Sequence, residues 1–139
     1  MTGKFELYNI ASLISLSRGI FGAGRNGKVV LVSSSYVPNK KDHVSISQSV
    51  EAYVVMGTMK SLAGYDSQTI STGIAYWNEP DIVWENLSAS FAHAVVFEGD
   101  HGTLIGYITF NNGSNITVSG QDFILSFPDS GHLVRVRGL

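Results

Sequence analysis

From Lys28 onward the chain runs in short stretches of β-branched and aromatic residues, each closed by a turn signal, and this punctuation constrains the fold more than any other feature. The stretches fall at 28–33, 50–56, 69–76, 81–84, 90–98, 103–110, 115–118, 122–127 and 132–137. Between them stand Pro38-Asn39, Asn78-Glu79-Pro80, Gly99-Asp100-His101-Gly102, Asn111-Asn112-Gly113, Ser119-Gly120 and Pro128-Asp129-Ser130-Gly131. These residue types turn a chain because they supply fixed or left-handed backbone angles. Strands following one another without intervening helices predict a mainly β domain, an antiparallel β-sandwich or a jelly-roll-like fold, rather than strand-helix-strand units.

Alternation within two stretches assigns faces. In 90–97, Phe91, His93, Val95 and Phe97 share one side and Ala92, Ala94 and Val96 the other, so both faces are apolar and a central strand is expected. In 122–127, Phe123, Leu125 and Phe127 oppose Asp122, Ile124 and Ser126, which predicts one buried face.

Ahead of the strands, Leu7, Ile10, Leu13, Ile14 and Phe21 recur at helical spacing, which predicts one N-terminal helix over 6–20. Gly19, Gly22 and Gly24 would end it. With 139 residues the chain fits a single domain, 1–139, and the polar stretch 33–49 is expected as an extended arm or long loop.

Charged residues make up only 14% of the chain against about 25% in an average soluble domain, so part of the surface is open to protein contacts. The basic residues are scattered and the net charge is −2, which argues against nucleic-acid binding. There is no cysteine, hence no disulfide and no thiolate metal site. The start lacks a signal-like pattern and no run approaches the ~20 apolar residues of a membrane helix, so a protein that is not membrane-bound is expected. The triplets at Asn86, Asn112 and Asn115 are read as turn and strand chemistry rather than glycosylation acceptors.

Candidate chemistry is thin. His43 and His101 each follow an aspartate, yet no third ligand stands at a metal-like spacing, and His93 alternates with core residues while His132 opens the last strand. Gly22-x-Gly24-x-x-Gly27 follows a helix and precedes a strand, the reverse of a dinucleotide-binding turn. Ser33-Ser34-Ser35 lacks the nucleophile-elbow pattern. Glu79, Asp81, Glu85, Glu98 and Asp100 would form a glycosidase pair only if two of them faced one bond. Trp84 alternates with Ile82 and reads as core, whereas Trp77, beside Asn78 and Pro80, reads as a surface anchor. No catalytic, cofactor-binding or metal-binding residue is assigned and no enzymatic activity is expected.

Several elements also follow one another in a particular order: Leu7-Tyr8-Asn9, Lys28-Val29-Val30-Leu31-Val32, Tyr36-Val37-Pro38-Asn39 with His43, then Tyr53-Val54 and Gly57-Thr58. After these come Gly73 with Tyr76, Ile82-Val83-Trp84, the run 91–97, Leu104-Ile105-Gly106-Tyr107-Ile108 and the run 123–127. This order resembles a group of small tailed-bacteriophage virion proteins with a short N-terminal helix, a strand, a Tyr-x-Pro-Asn segment and a β-sandwich. The resemblance spans nearly the full chain and departs from the group at 57–68, where Met59, Lys60 and Leu62 stand in a stretch that is richer in glycine in the group.

The resemblance implies a virion structural protein, made in the host cytoplasm, that acts as a capsid cement or decoration protein. Its partners would be the major capsid protein or other virion proteins, and a homo-oligomer is expected. The candidate protein-contact residues are Tyr36, Pro38, Asn39 and His43 in the polar arm, together with Trp77. The alternatives are a head or tail fibre module binding a host surface glycan, and a virion-associated hydrolase.

Overall fold

The computed structural model describes residues 5–10, 27–62, 68–71, 74–78, 80–126 and 132–137, with backbone alone for 68–71, 74–78 and 132–137. Among the described residues ten strands run in order: β1 (Phe5–Leu7), β2 (Gly27–Val32), β3 (Lys60–Ser61), β4 (Gln68–Ser71), β5 (Ile74–Asn78), β6 (Ile82–Phe91), β7 (His93–Glu98), β8 (Leu104–Thr109), β9 (Ile116–Leu125) and β10 (His132–Arg137). They form a five-stranded sheet ordered β1-β8-β7-β2-β3, a three-stranded sheet ordered β10-β5-β4 and the two-stranded ribbon β6-β9. The pairings are antiparallel and the sheets do not close, so the chain is mainly β, as its punctuation predicts.

β7 sits in the middle of the five-stranded sheet, paired with β2 on one side and β8 on the other. Its two apolar faces are both buried. Ala94 and Val96 join Val29, Leu31 and Ile108 in one core cluster, while Val95 and Phe97 join Val30, Val32 and Leu104 in a second on the opposite face. Between Val96 and Phe97 the register shifts and β8 takes in one extra residue, Ile105, which turns Leu104 to the second face.

The first face is covered by the β6-β9 ribbon, which contributes Ile82, Trp84, Phe91, Phe123 and Leu125. Phe91, Phe110 and Phe123 meet edge-on, with ring centres 4.8 to 6.0 Å apart, and Trp84 lies 5.8 Å from Phe123. The second face is covered by the segment after β2. Tyr36, Ile46, Val50 and Val54 all pack on it, and Ile46–Ser49 forms a short helix capped by Ser45. The stretch 33–49 thus takes the loop form and folds back over the sheet instead of reaching outward. Its backbone is tied down: Asn9 N–H donates to Lys40 O (2.8 Å), Ile46 N–H to Gly102 O (2.8 Å) and Leu104 N–H to Val44 O (2.9 Å).

Several expected boundaries shift for physical reasons. Residues Glu6 and Leu7, placed at the start of a helix over 6–20, instead belong to β1, where Phe5, Glu6 and Leu7 pair with Ile108, Tyr107 and Gly106 of β8. A sheet edge gives these residues backbone partners and packs Phe5 and Leu7, partly buried, against the core, which an isolated first helical turn does not. Helical conformation begins at Asn9 and Ile10, and the rest of the expected helix with its glycine terminus lies outside the described residues.

The stretch 50–56 is not a strand. It turns through a 3-10 helix at Glu51–Tyr53, with a single bridge between Val54 and Val32, because Val50 points into the core while Glu51, Ala52 and Tyr53 face solvent. Phe91 leaves the face of His93, because the chain bends at Ala92 between β6 and β7 and Phe91 swings to the first core.

The stretch 69–76 divides into β4 and β5, which pair with each other. Conversely, the stretches beginning at 115 and 122 merge into β9, which passes through Ser119-Gly120 without turning and ends at Leu125, while Phe127 lies outside the described residues. There Gly120 (φ 62°) faces an irregular point of β6 at Asn86 (φ 49°), with Asn86 N–H donating to Asp122 Oδ1 (2.9 Å) and Gly120 N–H to Ser88 Oγ (2.9 Å). Two irregularities opposite each other keep the ribbon paired on both sides of the bend.

At Gly106 β1 crowds β8 so closely that no side chain fits. A Cβ there would strike Phe5 Cζ and lie 2.7 Å from Glu6 O, and the backbone oxygen cannot rotate away. Gly106→Ala should therefore lower stability by about 2 kcal/mol or more, seen as a reduced denaturant midpoint at unchanged slope. A variant as stable as the parent would show that β1 is not held against β8.

Candidate functional site

The segment leaving β2 builds an organised polar group among the described residues. The backbone turns at once, with Tyr36 N–H donating to Ser33 O (3.2 Å), and drops the Tyr36 ring onto the second core at 1% exposure. Asn39 then closes a side-chain turn. Its Oδ1 accepts from Lys41 and Asp42 N–H (3.1 Å each), its Nδ2 donates to Asp42 Oδ2 (3.1 Å), and His43 N–H donates to Asn39 O (3.0 Å).

The turn aims His43 back at Tyr36. Asn39 N–H reaches His43 Nδ1 at 3.3 Å, and because a backbone N–H can only donate, Nδ1 is the acceptor nitrogen. The Tyr36 hydroxyl, 2.9 Å from the same nitrogen, therefore donates to it, and the Tyr8 hydroxyl, 2.6 Å from Tyr36, donates to Tyr36 in turn. Burial pushes the Tyr8 phenol far above its ordinary range and also raises that of Tyr36, so both rings stay neutral. The result is a directed chain of hydrogen bonds, Tyr8 to Tyr36 to His43, tying the residues after β1 to the segment that covers the sheet.

Beside this chain lies a cavity of about 260 Å³, lined by Ser34, Tyr36, Val37, Pro38, His93, Tyr107, Thr109 and Gly113. His93 enters from β7 and stands opposite Thr109 of β8, with Nδ1 3.0 Å from the Thr109 hydroxyl. Its ring meets Tyr36 edge-on at 5.8 Å. Gly113 belongs to the left-handed turn Asn111-Asn112-Gly113 (φ 48°, 53° and 87°), a conformation asparagine and glycine tolerate better than other residues. The opposite rim is tied in where Ser34 N–H donates to Asn115 Oδ1 (3.0 Å).

No Asp, Glu, Lys or Arg lines the cavity. Burial lowers the pKa of His93 from its ordinary value, opposed by a bond to the Tyr36 backbone, so the imidazole is neutral at pH 7. Thr109 and His93 have the reach of a nucleophile and a base, but His93 is 3% exposed and no carboxylate lines the cavity to orient it. The arrangement suits an uncharged group pressed against aromatic rings.

Of the residues singled out in the sequence, Tyr36, Pro38, Asn39 and His43 come together, but chiefly to fasten the chain to itself. Tyr36 is 1% exposed and forms part of the buried wall of the cavity, Pro38 lines the same cavity, and Asn39 is exposed. Trp77 lies on β5, opposite Gln68 and Val134. Trp84 is core, its indole N–H donating to Thr58 O (2.7 Å). Glu98 is buried and caps the β7-β8 turn, accepting from Asp100 N–H (2.7 Å) and His101 N–H (2.9 Å) with the exposed His101 ring at 3.0 Å. Asp81 and Glu85 are exposed, Asp122 holds the β6 bend, and Glu79 lies outside the described residues.

Among the described residues no group of three His, Cys, Asp or Glu side chains could hold a metal ion, and no helix is long and apolar enough to cross a membrane. Tyr8, Tyr107 and Thr109 escape a reading of the sequence because nothing in their neighbours marks them; only sheet pairing brings β1, β7 and β8 side by side. No family model matches the chain, and no curated protein or solved structure matches it either.

Two outcomes follow from this geometry. Tyr36→Phe should cost about 1–3 kcal/mol in unfolding free energy, because it strips a buried donor from His43 and a buried acceptor from Tyr8. For His93 the folded pKa lies below the unfolded value of 6.5, so the unfolded chain takes up the proton first as pH falls. Its contribution is constant above that value and stability is lost as pH drops through the interval beneath it. Urea unfolding at pH 7.5 and 5.5 should show a larger loss for the parent than for His93→Phe; equal losses would place the titration elsewhere.

Proposed function

We propose that this chain is a non-enzymatic structural protein of a tailed-bacteriophage particle, a cement or decoration subunit that stabilises the shell through protein-protein contacts. The observation that carries the reading is the outer side of the covering segment. Of the seven large apolar residues exposed among the described residues, five (Val37, Val44, Tyr53, Met56 and Met59) lie between positions 37 and 59. The same segment packs Tyr36, Val50 and Val54 inward, so its outward apolar groups stand on a fixed base. Exposed apolar groups carried at intervals along one ordered segment suit a repeated protein contact. The resemblance in the order of sequence elements supplies the class of partner, the major capsid protein.

In this reading the five-stranded sheet and the β6-β9 ribbon are the two layers of an open β-sandwich. The mechanism is mass action: a subunit that binds only the assembled lattice stabilises it by the free energy of that binding. A fibre module that binds a host glycan is the second reading, favoured by the uncharged, aromatic and hydroxyl-bearing cavity beside Tyr107.

Shells lacking the protein decide between them. Purified protein should add to such shells and raise their resistance to heat, and Val44→Glu with Met59→Glu should weaken that binding about tenfold or more while the fold survives. Protein that ignores shells but co-purifies with tails, or binds host cells and isolated sugars, would replace the cement reading with the fibre reading.

A further inference from the structure

The hydrogen-bond chain from Tyr8 through Tyr36 to His43 is balanced only while the imidazole is neutral. It has two links, of 2.6 and 2.9 Å, and two phenol hydrogens to fill them. Among the described residues Tyr36 is the hydrogen-bond partner of the Tyr8 hydroxyl, and Tyr8 is fully buried, so solvent offers no substitute. A proton on His43 Nδ1 upsets the count. Three hydrogens then compete for two links, and the Asn39 N–H, 3.3 Å from that nitrogen, faces a second donor. One phenol hydrogen is left without an acceptor in a buried place, which is expensive.

The surroundings do not compensate the added charge. Among the described residues no carboxylate bonds the His43 ring. Asp42, next to it in the turn, accepts from Asn39 Nδ2 (3.1 Å), and Glu6 of β1 pairs with Lys40 (2.9 Å). Lys40 and Lys41 bring further positive charge to the same turn. From the other elements come neutral rings: Tyr53 and His93 meet Tyr36 at 5.9 and 5.8 Å, and Tyr107 stands 5.2 Å from Tyr8. His93 lies on the far side of Tyr36, with its own Nδ1 at Thr109, so its titration leaves the two links untouched.

We propose that His43 is an acid-sensitive latch, and that a proton on its Nδ1 breaks the Tyr8-Tyr36-His43 chain and releases the turn 37–43 from the sheet. The closed form has no place for a proton that the released form accepts, so falling pH favours release. Imidazole is the side chain that ordinarily titrates between pH 5 and 8, which sets the range in which the latch works. Further along, Ile46 N–H stays bonded to Gly102 O and Leu104 N–H to Val44 O, which confines the movement to the stretch between Ser33 and Val44. The proposal does not depend on the shell reading, since it concerns the purified protein alone.

Amide hydrogen exchange of the full-length protein at pH 7.5 and 5.5, corrected for the intrinsic effect of pH on exchange, reads the latch. Asn9 N–H donates to Lys40 O and His43 N–H to Asn39 O, and the protection of both should fall about tenfold at the lower pH. The amides of Val95 and Val96, inside the five-stranded sheet, should keep theirs. His43→Gln sets an amide oxygen where the imidazole nitrogen accepted and cannot titrate, so its protection at Asn9 should be equal at both values. Ring ¹⁵N shifts of the parent at pH 7.5 should show His43 with Nδ1 bare and the proton on Nε2, a readout that needs no variant. Any of three results overturns the proposal: protection at Asn9 and His43 that ignores pH, a His43→Gln protein that loses it as far as the parent, or a proton on Nδ1 at pH 7.5. A fall that reaches Val95 and Val96 equally would also overturn it, by showing that the whole domain opens instead of the latch.

Discussion

Burial of both faces of β7 is the constraint on which the rest of this structure depends. A strand with apolar side chains above and below the sheet has to be roofed twice, and the chain provides two unlike roofs. One is the β6-β9 ribbon, whose Phe91, Phe123 and Trp84 fill the first core; the other is the loop from Ser33 onward, whose Tyr36 and Val50 fill the second. Because β6 runs into β7 with only Ala92 between them, the strand that needs a roof is continuous with one of the strands that supply it.

A loop used as a roof raises a polar problem, since its backbone and hydroxyl groups are pressed onto apolar surface. The chain answers it with side chains that complete the backbone's hydrogen bonds. Thr58 serves Leu31 and Val55, Asn39 serves Lys41 and Asp42, and Glu98 serves Asp100 and His101, while the Tyr8-Tyr36-His43 chain satisfies the phenols that the roof buries. Each of these groups would be expensive to leave without a partner, and together they explain why the polar character of 33–49 does not make it a free arm.

The consequence for function is a division of labour along one segment. Its inward residues are occupied in holding the sheet together, and its outward ones, Val37, Val44, Met56 and Met59, are held in place without being covered. Residues of that kind bind partners at low entropic cost, because the backbone beneath them is already ordered. The cavity at His93 is likewise a by-product of the roof, formed where the loop at Val37 and Pro38 meets β7, β8 and the left-handed turn at Gly113.

The sequence by itself determined the mainly β fold class and the location of most of the strands. Period-two alternation marked β7 as central and gave Phe123 and Leu125 to the core, and the turn residues at 99–102 and 111–113 marked two of the strand ends. These features were legible because each depends on residues a few places apart. What only the tertiary structure decided depends on partners far away in the chain. Phe5 to Leu7 became a strand because β8 offered an edge, Ser119-Gly120 became an irregularity because Asn86 bent opposite it, and Tyr36 became an anchor because Tyr8 and His43 waited for its hydroxyl. The cavity was illegible for the same reason, since its lining comes from four separate stretches of chain that only the sheet order β1-β8-β7-β2 brings into one place.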